Sequence, residues 1–228
     1  MTGQVPFGTN SFAENPERRT ACVLLLDVSG SMAGQPIAEL NAGLQDYKDS
    51  LLADPMAVKC VEVAIVTFGG GQVQTVCDFT TAEGFHPPTL VGGGDTPMGA
   101  AIRQGIEMIR QRKELYNAHG IAKTRPWLFL ITDGVPTDEW QSLVGQVEQE
   151  ELGKRLTFYA VGVEGADFGV LRQLTGNRSE PLKLKGLAFR ALFKWLSDSQ
   201  AAASRSKPGE TIRLENPAGP KGWGEATI

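Results

Sequence analysis

A chain of 228 residues, 41% hydrophobic and 21% charged, is long enough to bury one core and short for two comfortable domains. Its net charge is −4 and its basic residues are scattered, without the basic stripe of a nucleic-acid binder; the densest cluster, Arg110-Gln111-Arg112-Lys113, sits late in a predicted helix, where it complements the macrodipole. No stretch approaches the ~18 apolar residues of a membrane span, and residues 1–20 lack the apolar core of a secretory leader.

Residues 1–19 read as an N-terminal extension, 20–199 as one domain and 200–228 as a tail that either moves freely or packs back on the domain. The apolar run 21–26 suits a strand covered on both faces, as in a parallel sheet. From Pro36, the residues Ile37, Leu40, Leu44, Tyr47 and Leu51 recur at helical spacing until Asp54-Pro55. A strand over 58–68 turns at Gly69-Gly70-Gly71 into a second over 73–79, so one antiparallel edge is expected. Met98, Ile102, Ile106 and Ile109 mark a long helix ending near Gly120. A strand over 127–132, a helix carrying Trp140, Leu143, Val144 and Val147, and a strand over 156–163 follow. A short helix over 168–174, a strand over 182–184 and a helix from Leu187 to about Ser197 complete the set. Strand alternating with helix predicts an α/β fold: a doubly wound, mostly parallel sheet with helices on both faces.

Beyond that, 200–207 turn to Ala, Ser and Arg, and an irregular tail is expected. Thr211-Ile212-Arg213-Leu214 has strand character, however, and Trp223 is costly to leave in solvent. Cys22, Cys60 and Cys77 fall in predicted strands with no metal-type spacing, and an odd number cannot form a complete internal disulfide set. Free thiols in a reducing, cytoplasmic compartment are the expectation.

Three separated loops carry the chemistry. Asp27-Val28-Ser29-Gly30-Ser31 follows the first strand, Thr96 closes Gly92-Gly93-Gly94-Asp95-Thr96, and Asp133-Gly134 follows the strand over 127–132. In an open parallel sheet, ligands bind beyond the carboxyl ends of the strands where strand order reverses, so both carboxylates should face one crevice. Two carboxylates ~5 Å apart at an effective dielectric of ~20 repel by roughly 3 kcal/mol, which asks for a cation or a proton. Asp27, Ser29, Ser31, Thr96 and Asp133 offer only hard oxygen donors, suited to magnesium rather than zinc. Asp95 has three candidate roles, at the ion, as a cap of the helix beginning at Pro97, or in solvent, with capping preferred. Asp138 reads as the N-cap of the Trp140 helix rather than a ligand, and His86 and His119 as surface or capping residues.

Asp27-x-Ser29-x-Ser31, Thr96 and Asp133-Gly134, in this order, resemble the metal-ion-dependent adhesion site of the von Willebrand factor A-type domain family, over about residues 20–197. The phrase Thr132-Asp133-Gly134-Val135-Pro136-Thr137-Asp138 further resembles a bacterial intracellular branch associated with tellurite resistance and stress response. The resemblance implies a Rossmann-like sheet and Mg2+ or Mn2+ held by Ser29, Ser31 and Thr96 and, directly or through water, by Asp27 and Asp133. It also implies binding of a protein partner through that ion, and movement of the helix around Phe189, Leu192, Phe193 and Trp195 when the ion gains an acidic ligand.

Taken singly, Ser29 and Ser31 could be caps and Asp133 a turn residue. Jointly, in this order and placement, they favour the metal site. The first functional expectation is a binding module that captures an acidic side chain of a protein partner, for which a separately encoded kinase, phosphatase or ATPase is a candidate. The competing class is a Mg2+-dependent hydrolase or phosphotransferase on the same carboxylates. None of the three loops carries a Lys or Arg, and the chain has no Gly-x-x-x-x-Gly-Lys-Ser/Thr loop, so catalysis ranks below binding.

Overall fold

The computed structural model describes residues 15, 17–176, 179–206, 214–219 and 222–226. Its strands are β1 (Thr20–Asp27), β2 (Val61–Gly69), β3 (Gln72–Thr81), β4 (Trp127–Thr132), β5 (Thr157–Gly162), β6 (Leu182–Leu184) and β7 (Gly224–Ala226). The helices are α1 (Gln35–Ala53), α2 (Ala57–Cys60), α3 (Met98–Ala118), α4 (Ser142–Leu152), α5 (Phe168–Thr175) and α6 (Phe189–Arg205), with a 3-10 turn over Gly30–Met32.

The described strands form one sheet in the order β3-β2-β1-β4-β5-β6-β7. β2, β1, β4, β5 and β6 run parallel, and β3 is the antiparallel edge expected from the glycine turn. At the opposite edge β7 pairs antiparallel with β6, so chain from the tail extends the sheet. There Trp223 is 3% exposed, and its ring meets that of Trp195 edge-on at 5.6 Å. Of the stretch 211–214, residues 211–213 lie outside the described residues.

Alternation along β1 divides the core. Cys22, Leu24 and Leu26 face α1 and α6, together with Phe129 and Ile131 of β4. Val23 and Leu25 face α3, α4 and α5, together with Leu128 and Leu130. Both faces of β1 are therefore dry, which explains its unbroken apolar sequence.

Two expectations are corrected. Cys60 does not lie in a strand: residues 57–60 form a single helical turn, started by the Asp54 carboxylate, which accepts from the amides of Met56 and Ala57 at 2.9 Å. Nor is the chain irregular from Gln200, because α6 continues to Arg205. Alanine is the best helix former, and here Ala201, Ala203, Gln200 and Ser204 are buried, so propensity and packing agree. Among the described residues no helix is long and apolar enough to cross a membrane.

Candidate metal centre

Strand order reverses between β1 and β4: the chain leaves β1 toward β2 on one side, while β4 leads to β5 on the other. The carboxyl ends of these two neighbours carry Asp27 and Asp133 into one crevice. Asp27 is fully buried; its Oδ1 accepts from the Ser29 amide at 2.8 Å and its Oδ2 from the Thr132 hydroxyl at 2.5 Å. That first bond bends the chain back so that Ser29 and Ser31 lie on the same side, their Oγ atoms 3.1 Å apart. The Ser31 hydroxyl then donates to Asp133 Oδ1 at 2.7 Å, linking loops separated by a hundred residues of chain.

Thr96 is placed by three contacts. Its amide donates to Thr137 Oγ1 at 3.2 Å, its carbonyl accepts from the Thr137 amide at 2.9 Å, and its hydroxyl points at Gly134. A Cβ on Gly134 would stand 2.9 Å from Thr96 Oγ1 and 3.4 Å from Asp27 Oδ2, so both oxygens crowd one small space that only glycine leaves open. Backbone bonds hold the first two loops to each other and to the β2–β3 turn: Gly93 N to Val28 O at 2.7 Å, Gly30 N to Gly94 O at 2.9 Å and Gly70 N to Gly93 O at 2.6 Å. Gly94 has φ +74°, and a Cβ there would lie 2.3 Å from Gly70 Cα; this crossing requires glycine twice over.

All five residues singled out in the sequence, Asp27, Ser29, Ser31, Thr96 and Asp133, therefore lie in one crevice. Ser29, Thr96 and Asp133 are buried like Asp27, and Ser31 is exposed at the mouth. Burial pushes the Asp27 carboxyl above its ordinary range; hydrogen bonds from Ser29 and Thr132 oppose the rise, and the negative charge of Asp133 adds to it. Burial likewise raises the Asp133 carboxyl, against the hydrogen bond from Ser31. Among the described residues neither carboxylate pairs with a Lys or Arg.

This donor set fits a small hard cation. Adjacent ligands of an octahedral ion bound at about 2.0–2.1 Å lie about 2.9 Å apart. The Ser29–Ser31 and Ser31–Asp133 oxygen separations of 3.1 and 2.7 Å bracket that spacing. Among the described residues no group of three or more His, Cys, Asp or Glu side chains is placed to hold a metal ion.

Other assignments change. Asp95 does not cap the helix that follows it: it stays exposed to solvent, and its Oδ1 accepts from the Gly71 amide at 2.5 Å, tying the loop to the β2–β3 turn. Asp138 does not cap the helix that follows it. It reaches back to the start of α3, accepting from the amides of Gly99 at 2.8 Å and Ala100 at 2.7 Å. Pro97 precedes that helix and supplies no side-chain cap of its own. Thr132 and Thr137 support the site from outside the five candidate ligands. Thr132 left a signal, a hydroxyl ending an otherwise apolar strand, whereas nothing local marked Thr137. His119 caps the end of α3 through Leu115 O at 2.9 Å, and His86 lies 3.3 Å from Lys48 Nζ at the surface.

The profile of the von Willebrand factor type A domain matches residues 22–191. The chain belongs to that family. Domains of this family typically mediate metal-dependent protein–protein interaction and are mostly interaction or adhesion modules. No curated protein matches the chain. Among solved structures it is similar to the pilus adhesin SpaC from Lactobacillus rhamnosus GG, with TM-score 0.65, 16% identity, and 83% of this chain and 32% of that one covered. It is similar to proximal thread matrix protein 1 from the mussel byssus at TM-score 0.55 and 16% identity, covering 82% of this chain and 48% of that one. A third relative in fold is the manganese-loaded TRAP protein of Plasmodium vivax, at TM-score 0.51 and 18% identity, covering 71% and 64%. The chain thus spans about a third to a half of the length of the adhesin and the byssus protein.

Proposed function

We propose that this von Willebrand factor A-type chain is a metal-ion-dependent adhesion module that takes Mg2+ or Mn2+ at Asp27, Ser29, Ser31, Thr96 and Asp133 and captures an acidic side chain of a protein partner. The observation that carries the reading is the Ser29–Ser31–Asp133 oxygen chain, spaced like neighbouring ligands of one ion, with Thr96 and Asp27 oxygens at its flank. When bound, the cation offsets two buried carboxylates and offers an exchangeable position to an incoming carboxylate. The hydroxyl ligands keep the site from becoming too anionic to accept that ligand.

Further support comes from the manganese carried by the structurally similar TRAP protein. The three free thiols favour a cytoplasmic setting, and the phrase at residues 132–138 favours a bacterial stress-response or tellurite-resistance system. In that setting the partner would be a separately encoded kinase, phosphatase or ATPase. The competing reading, Mg2+-dependent hydrolysis or phosphotransfer on the same carboxylates, ranks lower because among the described residues no Lys or Arg pairs with them to stabilise developing charge.

Titration calorimetry with MgCl2 and MnCl2 tests the proposal. One ion per chain is expected for the wild type, and none for Asp27→Ala or for Ser29→Ala/Ser31→Ala, each checked for folding by thermal unfolding. Absence of uptake by the folded wild type would end the reading, and Mg2+-dependent phosphatase turnover abolished by Asp133→Ala would turn it toward catalysis.

A further inference from the structure

Beside the candidate metal centre lies a groove of about 310 Å3, walled by the carboxyl end of β2 and the amino end of β3 on one side and by the loop 88–91 on the other. Its volume is at the low end of the about 300–1,000 Å3 range of small-molecule sites, a space for a side chain or two. The groove shares its walls with the metal loops. Val28, between Asp27 and Ser29, lines it, as do Gly69 and Gly70, while Val91 immediately precedes the Gly92–Gly94 run.

Its shape is set in advance. Asn41 of α1 holds the backbone of Leu90 from both sides, donating to its carbonyl at 3.0 Å and accepting from its amide at 2.8 Å. The opposite wall is tied down through Gly70 N to Gly93 O and through Gly71 N to Asp95. Two apolar side chains nevertheless stay in solvent at this groove, Val91 at 79% exposure and Val76 at 38%. None of the described residues lining it is charged, and Gln72 and Gln74 supply its polar atoms on β3.

From these features we infer that the groove is the second half of the recognition site. It takes an uncharged, apolar side chain lying at a fixed offset from the acidic residue in the same partner segment. The inference rests on the metal-dependent reading above and adds the partner's chemistry. An ion draws a carboxylate, whereas a second charge entering an uncharged groove would lose its hydration without a counter-charge. The preferred ligand is therefore one acid flanked by an apolar residue, rather than an acidic run.

The probe is an array of short synthetic peptides, each with one fixed Asp or Glu and every flanking position varied in turn, captured with Mg2+ and with EDTA. At one offset from the acid, Leu, Ile, Val, Met or Phe is expected to bind roughly tenfold to a hundredfold tighter than Ala, as burial of one apolar side chain implies. The double variant Val76→Thr/Val91→Ser should lose that preference while retaining capture of the Ala-flanked peptide and, by calorimetry, full Mg2+ uptake. Metal-dependent capture with no flanking preference, or a preference that survives the double variant, overturns this inference and leaves the metal-dependent reading standing. No metal-dependent capture of any acidic peptide overturns both.

Discussion

At the scale of single residues the candidate site depends on crowding as much as on ligands. Gly134 leaves the space that Thr96 Oγ1 and Asp27 Oδ2 share, and a methyl group there would meet the hydroxyl at 2.9 Å. Gly134→Ala should displace Thr96, cost about 1–3 kcal/mol by overpacking, and lower Mg2+ affinity roughly tenfold to a hundredfold. Thermal unfolding and calorimetry on the same sample check both. The cysteines give a second test. Burial pushes the Cys22 thiol up to about 12, and raises those of Cys60 and Cys77 as well. A raised thiol is mostly protonated at pH 8 and reacts slowly, so access to the reagent decides which cysteine is labelled. Only Cys77, the half-buried one, should be labelled in the native protein, with Cys22 and Cys60 labelled after denaturation; peptide mapping of a thiol reagent reads this directly.

Among elements, the start of α3 is the joint between two of the three loops. Its first amides are satisfied by Asp138, which comes from the segment following Asp133 rather than from the residues before the helix. Arg103 reinforces the joint by donating to the Glu139 carbonyl at 2.8 Å and pairing with its carboxylate. Asp138→Ala removes a cap worth about 0.5–2 kcal/mol. It also frees the loop that positions Asp133, so the expected result is a lower melting temperature together with weaker Mg2+ uptake. A loss of stability with unchanged metal affinity would mean that the loop is held by other contacts. Local order explains why Asp27, Ser29 and Ser31 could be read from sequence. Their relation is set within five residues by the bond from the Ser29 amide to Asp27. The use of Asp95 and Asp138 could not be read, because each serves an element other than its neighbour in the chain.

For the molecule as a whole, the sheet separates function from a buried charge cluster. At the amino-terminal ends of β1 and β2, Glu62 Oε1 lies 3.2 Å from Arg19 Nε and Oε2 lies 2.7 Å from Arg112 Nη2, with the Tyr116 hydroxyl also donating to Oε2. Arg19 and Glu62 are almost wholly buried. Glu62→Gln takes a buried negative charge away from both guanidinium groups and should cost roughly 3–5 kcal/mol. Because this cluster sits at the far end of the strands from Asp27 and Asp133, Mg2+ uptake by the folded variant should be unchanged. Denaturant unfolding and calorimetry separate the two effects. Arg112 belonged to the cluster read as helix-end charge. That reading missed its partner, because Glu62 lies fifty residues away in the chain.

By itself the sequence determined the layered α/β plan, the hairpin edge, the free thiols and which loops end the strands carrying Asp27 and Asp133. Each of these follows from short-range periodicity or turn chemistry, which a linear text carries. Only the tertiary structure decided that Asp138 caps a helix across the crevice, that α6 runs on through Gln200, that Trp223 is buried beside Trp195, and that Glu62 gathers two arginines. Those outcomes depend on which strands become neighbours. Strand order is decided by packing all the elements together, and no local stretch of residues encodes it.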